Sequence, residues 1–381
     1  MRAGLRSEPW PGDPTQQSLD WDAFARLATV HGVEWLVQRA LAAPRGGAPP
    51  SHVHERIAQL VRKRARESLA LTRELVHATA VLEAAGVATL SFKGPTLALV
   101  LYRDLAARPS ADVDILVRPG DAPRAMRVLR AAGYRVARPP FDLEGIYTVR
   151  LTNHIPITRD GRGVVELHWA LTSPWTAYDF DLDGLFRRAS TVELGGERIR
   201  TMSLENLAWF LCFHGCKHHW ARLEWLCDVA ALLNRPDVDW GGAIASARHS
   251  RVLRPLLVGV LLAQAALKAP MPAACVAPAA ADPSATRIVE RITKRMPRYW
   301  ARGAQGPPRL PINWLSLAVR ASAGERIRLV ARSIFRPAIG DIRWLPLPRA
   351  LFPLYYFVRP LRLALRYGLG RGRSARSNAP A

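Results

Sequence analysis

The chain has 381 residues, 49% hydrophobic and 22% charged, which is typical of a globular protein that can hold more than one domain. Its net charge of +23 suggests a polyanionic partner, although a genome that favours arginine codons explains it equally well. Four cysteines in a chain of this size exclude a disulfide framework. The sequence shows neither a signal-peptide core nor a run of about 18 uncharged apolar residues, so we expect a cytoplasmic protein.

The first predicted unit, residues 1–85, is helical. Apolar positions over residues 20–43 follow a helical spacing, and a Pro- and Gly-rich stretch at 44–50 interrupts them. Residues 52–85 predict one or two further helices that end at Gly86. We expect these helices to act as scaffold.

Residues 86–200 predict an α+β unit that opens with a strand, a tight turn and a helix. The apolar run at 87–92 predicts a buried strand, and Lys93 and Gly94 predict the turn. Residues 95–102 predict a helix with proline at its first position, where the missing N–H is tolerated.

Two aspartates, Asp112 and Asp114, follow this opening. In a strand they share one face, while the β-branched residues between and after them point into a core. Two close carboxylates repel unless one is protonated or a divalent cation lies between them, and Mg²⁺ binds carboxylate and phosphate oxygens. A pair that merely caps a surface strand is the alternative. The preceding strand, turn and helix favour a metal site.

Further strands complete the unit. They are predicted at residues 134–137, 147–151, 154–158, 164–169 and, as a hairpin, 192–200. Asp160 and Gly161 are a strong hairpin signal. On the strand that returns from this turn, Glu166 and His168 share one face.

The next unit, residues 201–268, is predicted to be helical. His214 and His218 lie four apart and therefore on one helix face, with Lys217 beside them. Together with Asp228 on the next helix, the histidines suit a metal site or a buried polar network between helices. Contacts with substrate phosphates are a third interpretation.

The chain ends in a predicted Ala/Pro linker, residues 269–285, and a basic helical region, residues 286–381, with a disordered tail. This last quarter has 20 Lys and Arg against 3 acidic residues and carries +17 of the net charge. Apolar residues and arginines between 346 and 366 suit an amphipathic helix on an anionic membrane surface. Nucleic acid is the other partner that basic, aromatic helices suit.

Several motifs, taken in order, resemble those of a bacterial family of uncharacterised nucleotidyltransferases, within the superfamily that has the DNA polymerase β-like fold. They are Phe-Lys-Gly-Pro, Leu-Tyr-Arg-Asp, Arg-Pro-Ser-Ala-Asp-Val-Asp-Ile-Leu-Val, Val-Val-Glu-Leu-His-Trp and His-Gly-Cys-Lys-His-His-Trp. The resemblance covers about residues 20–265. It implies an α+β fold: a small mixed β-sheet core flanked by helices, with an additional helical domain.

The resemblance also implies site residues and ligands. Asp112 and Asp114 would hold Mg²⁺ or Mn²⁺, and Glu166 would complete the metal site or take a proton from the acceptor. An exposed, purely structural glutamate is the alternative for Glu166. Gly94 and Lys93 would hold the triphosphate of an NTP. Further expected phosphate contacts are Thr96, His168, His214, Lys217 and His218.

The reaction implied is transfer of a nucleoside monophosphate from an NTP to a hydroxyl or phosphate of an unknown acceptor: a small molecule, a peptide or a glycan. Lys93-Gly94 replaces the Gly-Ser or Gly-Gly of better-known superfamily members, and Lys93 could instead form an internal salt bridge in place of a metal. Two alternatives therefore stay open. One is an inactive module that binds a nucleotide or a protein, and the other is a basic protein peripheral to a membrane or bound to nucleic acid.

Overall fold

A mixed β-sheet lies at the centre of the amino-terminal two-thirds of the protein. The structure, a computed structural model, describes residues 20–42, 50–137, 146–161, 163–301 and 312–368. Within these ranges, helices cover the sheet and continue into a helical region that reaches residue 368. The predicted α+β class, with its small mixed sheet and additional helices, is confirmed. The predicted disordered tail lies outside the described residues.

The elements of the first 201 residues alternate between helices and short strands. The amino-terminal helices are α1 (Trp21–His31), α2 (Glu34–Leu41) and α3 (Ser51–Ala84). The sheet region contains β1 (Leu90–Ser91), α4 (Gly94–Tyr102), β2 (Asp112–Leu116), α5 (Ala122–Ala131), β3 (Arg135–Val136), α6 (Ile146–Leu151), β4 (His154–Thr158), β5 (Val164–His168), α7 (Leu182–Arg187), β6 (Ser190–Leu194) and β7 (Glu197–Thr201).

The rest of the described chain is helical. Its α-helices are α8 (Leu204–Lys217), α9 (Leu223–Leu233), α10 (Trp240–His249), α11 (Leu253–Leu267), α12 (Ala273–Ala280), α13 (Pro283–Ala301), α14 (Trp314–Ala318), α15 (Ala323–Phe335), α16 (Ile339–Trp344) and α17 (Tyr355–Gly368). Short 3₁₀ helices lie at Pro174–Thr176, before α7, and at Arg349–Leu354, before α17.

In the described residues the sheet has seven strands in the order β3-β4-β5-β2-β1-β7-β6. Strand β2 pairs with β5 in parallel, and the register places Asp114 beside Glu166. Strand β4 pairs with β5 in antiparallel fashion, and His154 lies opposite His168. Because directly paired residues point to the same face, these four polar side chains share one face of the sheet.

The opposite face of β2 and β5 is buried in apolar packing. Val113, Ile115 and Leu167 are fully buried there, as predicted from the alternation. They pack in one cluster with Leu75 of α3 and Leu129 of α5. On the polar face, the neighbouring apolar residues belong to a second cluster that includes α8 and α11. This packing fixes β2 and β5 between two helical layers.

The segment 20–43, predicted as one helix, forms two helices that meet at Gly32. Gly32 has a φ of +66°, and a β-carbon there would clash with Glu224, Arg222 and Pro109. Only glycine takes this left-handed conformation without strain in so narrow a space. Residues 52–84 lie in the single helix α3, and Ala85 is its C-cap.

One prediction about local structure was wrong. Residues 147–151, predicted as a strand, lie in α6. The indole of Trp169 donates hydrogen bonds to the carbonyls of Val149 and of Thr152, just after this helix, and this tertiary contact outweighs the β propensity of the segment.

The segment predicted as a linker, residues 269–285, contains helix α12. Alanines favour this helix despite Pro278, and Cys275 is fully buried.

Among the described residues, none of the helices combines the length and the apolar character needed to cross a bilayer.

The hairpin predicted at residues 160–161 is confirmed. Asp160 and Gly161 both have positive φ, and the strands on either side, β4 and β5, pair with each other.

Candidate active site

The turn between β1 and α4 brings the backbone of α4 against β2. Gly94 has a φ of +64°, and a β-carbon on it would lie 3.2 Å from the carbonyl oxygen of Asp112. Thr96 is fully buried, shares a 2.8 Å hydrogen bond with Ser91, and donates a second one to the carbonyl of Lys93. Its hydroxyl therefore stabilises the turn, and the expected contact between Thr96 and phosphate stays a prediction.

We expect Gly94→Ala to lower the free energy of unfolding by about 1–2 kcal/mol, because alanine is strained at positive φ and its β-carbon crowds Asp112. Urea denaturation measures this change. Gly120→Ala is the matched control, since a β-carbon added to Gly120 would have nothing within 4 Å of it. Equal effects of the two substitutions would contradict a special role for Gly94.

Asp114 is the buried centre of the site. Its Oδ1 accepts hydrogen bonds from Lys93 Nζ at 2.7 Å and from His168 Nε2 at 3.0 Å. Its Oδ2 is buried and has no hydrogen-bond partner among the described residues. Burial alone would raise the pKa of Asp114, but Lys93 and His168 outweigh burial and hold this pKa below its usual value. Asp114 is therefore an anion with one oxygen to spare.

His168 links Asp114 to Glu166. Its Nε2 also lies 3.1 Å from Glu166 Oε2, and burial of the ring lowers its pKa less than the two carboxylates raise it. His154 Nε2 lies 3.5 Å from Glu166 Oε1, and the two imidazoles stack with centroids 4.8 Å apart. Burial, then the neighbouring His168, lowers the pKa of His154 to about 4. A neutral ring thus stacks on one that favours its charged form.

Asp112 lies at the open end of β2 and is half-buried. Burial, followed by the nearby charge of Asp114, raises the pKa of Asp112 to about 6. Like charges on one strand face oppose each other's ionisation, and a bound cation would reverse that effect.

Helix α8 brings a second set of polar side chains to the site. His214 and His218 have ring centroids 4.5 Å apart, and both contact Trp225. The charge of Lys93 acts on His214, and that of Lys217 acts on His154. The structure therefore places His214 and Lys217 near the sheet residues.

Asp228 does not join these histidines. It is fully buried, accepting hydrogen bonds from Arg108 Nε at 2.8 Å and from the Tyr102 hydroxyl at 2.9 Å. Both of its oxygens are thus engaged. Of the interpretations left open for this aspartate, the structure supports the polar network, which joins α9 to α4 and to the loop before β2.

Burial, then the charge of His218, lowers the pKa of His214 well below its ordinary value of 6.5. The folded protein holds this ring neutral, whereas the unfolded chain binds a proton as the pH falls through 6.5. Its contribution to stability is therefore present above pH 6.5 and lost below, by at most about 1.4 kcal/mol per pH unit. We expect His214→Gln to flatten the fall in unfolding free energy between pH 7.5 and 5.5 (about two pH units) in urea denaturation. An unchanged slope would contradict this assignment.

Sequence reasoning missed two residues of the site region, His154 and Arg108. His154 starts β4 directly opposite His168, so the hairpin register was the signal that could have found it. Arg108 is buried against Asp228, and nothing in its local sequence indicates that pairing.

The polar face of the sheet offers ligands for the divalent metal that the resemblance implies. The spare Oδ2 of Asp114 and the half-buried carboxylate of Asp112 supply the hard oxygen ligands that Mg²⁺ and Mn²⁺ take. Ligand atoms of His154, Glu166 and His168 also lie within 4.8 Å of one another. The residues fit a divalent cation, with Lys93 as a resident positive charge on the other side of Asp114.

Comparisons with known proteins place the chain in a family. The model of a family described as uncharacterised nucleotidyltransferase matches residues 17–268. No curated protein matches the chain. Among solved structures, the antibiotic-resistance factor ANT(2'')-Ia is 14% identical over 58% of this chain and 96% of its own, with a TM-score of 0.28. The family match spans about two-thirds of the sequence and includes the whole sheet, so the protein belongs to the uncharacterised nucleotidyltransferase family.

Proposed function

We propose that the protein is a metal-dependent nucleotidyltransferase that moves a nucleoside monophosphate from an NTP to a hydroxyl or phosphate of an acceptor. The observation that carries this proposal is the buried Asp114, bound by Lys93 and His168 beside the Gly94 turn. Family membership supports nucleotidyl transfer. The metal, the donor and the acceptor are our inference.

Asp112 and the spare oxygen of Asp114 would hold Mg²⁺ or Mn²⁺. When bound, the cation would neutralise phosphate charge and lower the pKa of an attacking hydroxyl. Glu166 is the third carboxylate of this face, and His168 holds it in line with Asp114.

Lys93 and Gly94 would bind the triphosphate. The Lys93 side chain is about one-fifth exposed, so its ammonium can reach a phosphate group that approaches Asp114. Gly94 begins α4, where backbone N–H groups and the helix dipole favour an anion. His214 and Lys217 would face the nucleotide from α8.

The proposed transfer forms one bond and breaks one bond at the α-phosphorus of the NTP. The acceptor oxygen forms a bond to the α-phosphorus, the bond from that phosphorus to pyrophosphate breaks, and the acceptor proton passes to Glu166. Glu166 is suited to this role because it is partly exposed and because His168 and His154 outweigh its burial and lower its pKa, which keeps it ionised. Positioning and charge neutralisation supply most of the acceleration.

Pyrophosphate release tests the proposal. Each of the four NTPs is incubated with Mg²⁺ and a panel of small alcohols, peptides and glycans. We expect one class of acceptor to stimulate release, and Glu166→Gln to reduce the stimulated rate by about 10²- to 10⁴-fold. Glu193→Gln, an exposed change on β6, is the matched control and should leave the rate unchanged. Stimulated release that survives Glu166→Gln would remove this residue from the mechanism.

An inactive module is the second candidate, and one observation favours it: Lys93 already neutralises Asp114. The two candidates differ in what Lys93→Met does. In a transferase the substitution weakens Mg²⁺-dependent NTP binding. In an inactive module the wild type binds no Mg²⁺, and the variant gains a site because Asp114 loses its internal cation. Mn²⁺ titration followed by electron paramagnetic resonance distinguishes them.

A further inference from the structure

The last helix of the described chain exposes apolar side chains and directs two arginines into the interior. In α17, Phe357, Leu361 and Leu365 lie four residues apart and therefore share one face, and all three are exposed. Phe357 is 76% exposed. Leu351, Leu354 and Tyr356, just before them, are also exposed. We call these six residues the outer apolar face.

Two arginines of the same helix, Arg359 and Arg362, point inward. Arg359 is buried and donates to the carbonyl of Ser333 in α15 and to the carboxylate of Asp341 in α16. Arg362 donates to the other oxygen of Asp341 at 2.6 Å. Asp341 is itself fully buried. Arg362 is therefore engaged in the interior and does not belong to the charge that this helix presents to solvent.

Buried polar interactions hold α17 in the orientation that exposes these apolar side chains. The buried Asp341 and Arg359 hold α15, α16 and α17 together. Arg320, at the start of this region, is buried and donates to the carbonyls of Thr176 and Ala177 in the sheet region. The outer apolar face is thus presented by a structure that is anchored to the sheet.

Exposed apolar side chains are concentrated in this part of the molecule. Among the described residues, ten of the thirteen large hydrophobic side chains that are exposed lie between Ile327 and Leu365. The same region, residues 312–368, contains ten arginines and two acidic residues, and Arg326, Arg328, Arg343 and Arg366 are the arginines that are exposed among the described side chains. A concentration of exposed apolar side chains among exposed arginines marks an interaction site.

We infer that the outer apolar face docks the protein peripherally on a bilayer that contains anionic phospholipid. Leucine, tyrosine and phenylalanine side chains would enter the interface between headgroups and acyl chains, while the surrounding arginines meet the anionic headgroups. This inference goes beyond the proposed catalytic function and does not depend on it.

Charge favours the bilayer over the other occupants of such a face. A second copy of the chain would bring the exposed arginines of this region, which include Arg326, Arg328, Arg343 and Arg366, against the same arginines, and two surfaces of the same sign repel. Nucleic acid complements the charge, but the leucines at four of the six positions offer it no stacking surface. An anionic bilayer complements both the charge and the apolar side chains.

Flotation with large unilamellar vesicles tests the inference. The full chain is mixed with vesicles of phosphatidylcholine alone or with about one-third phosphatidylglycerol, at low and high salt. We expect at least about tenfold stronger binding to the anionic vesicles, weakened by salt. Phe357→Ser/Leu361→Ser/Leu365→Ser should reduce that binding by about tenfold or more. The matched control, Leu69→Ser/Val276→Ser, changes exposed apolar residues elsewhere and should bind like the wild type.

Circular dichroism and the thermal midpoint verify that the triple variant folds; if it does not, Phe357→Ser alone makes the same comparison. The inference is overturned if the wild type does not float with anionic vesicles. It is also overturned if the triple variant floats as well as the wild type, because other basic segments then suffice. A third contrary result is a lipid-free dimer in sedimentation velocity that the triple variant disperses, combined with no flotation, which would make this face an interface between copies.

Discussion

Asp114→Asn is expected to reduce nucleotidyl transfer by about 10³-fold or more. The substitution removes the negative charge that Lys93 and His168 share and that a cation would need, in a site where solvent cannot substitute for it. Pyrophosphate release with the stimulating acceptor measures the loss. Because asparagine has nearly the size of aspartate, the cavity around the side chain is preserved.

The matched control for this prediction is Asp183→Asn. Asp183 also pairs with a basic residue, Arg118, but it is two-thirds exposed and lies in α7. Its substitution should leave the rate within about twofold, as is usual for exposed pairs. Similar losses in both variants would show that the effect of Asp114→Asn is not specific to the site.

Asp228→Ala is expected to lower the free energy of unfolding by about 3–5 kcal/mol. It leaves the buried guanidinium of Arg108 without its counter-charge and the hydroxyl of Tyr102 without its acceptor. This loss is a large fraction of the unfolding free energy of an ordinary domain, so we expect the variant to unfold at lower urea concentrations than the wild type. Chemical denaturation followed by tryptophan fluorescence measures it.

Asp237→Ala provides the comparison. Asp237 pairs with Arg235 at a position that is about half exposed. We expect a loss of about 0–1 kcal/mol, because water solvates the arginine that remains. Equal losses of unfolding free energy in Asp228→Ala and Asp237→Ala would show that burial does not make the pair of Arg108 and Asp228 more important for stability than an exposed pair.

Alternation along the strands was enough to predict the polar face of the sheet. Asp112 and Asp114 two residues apart, and Glu166 and His168 two residues apart, had to share a face within each strand. Alternation does not predict the parallel register that sets Asp114 directly beside Glu166. This register depends on packing between helical layers, which no local pattern contains.

A wrong prediction of local structure has a physical cause of the same kind. Residues 147–151 favour a strand locally, yet Trp169 stabilises them as the helix α6. A contact from outside the local pattern decides this outcome. Thr96 is different, because its hydroxyl is bonded to near neighbours in the sequence, Ser91 and Lys93, and its expected contact with phosphate stays a prediction.

Lys93 shows that the sequence predicts the location of the site better than the chemical role of its residues. The sequence places a lysine near two aspartates, and both a phosphate ligand and an internal counter-ion follow from that fact. The structure shows the ammonium 2.7 Å from Asp114, as a counter-ion would lie. A lysine that leaves the carboxylate when phosphate binds has the same resting geometry, so the functional difference lies in the response to nucleotide.

Calorimetric titration of ATP, GTP, CTP and UTP with Mg²⁺ into the wild type and into Asp112→Asn/Asp114→Asn tests the proposed transferase most directly. We expect at least one nucleotide to bind the wild type only when Mg²⁺ is present, and the double variant to bind it about 100-fold more weakly or not at all, since both metal-holding carboxylates are gone. A folded wild type that binds none of the four nucleotides, with or without the acceptor panel, would contradict the transferase and leave the inactive module.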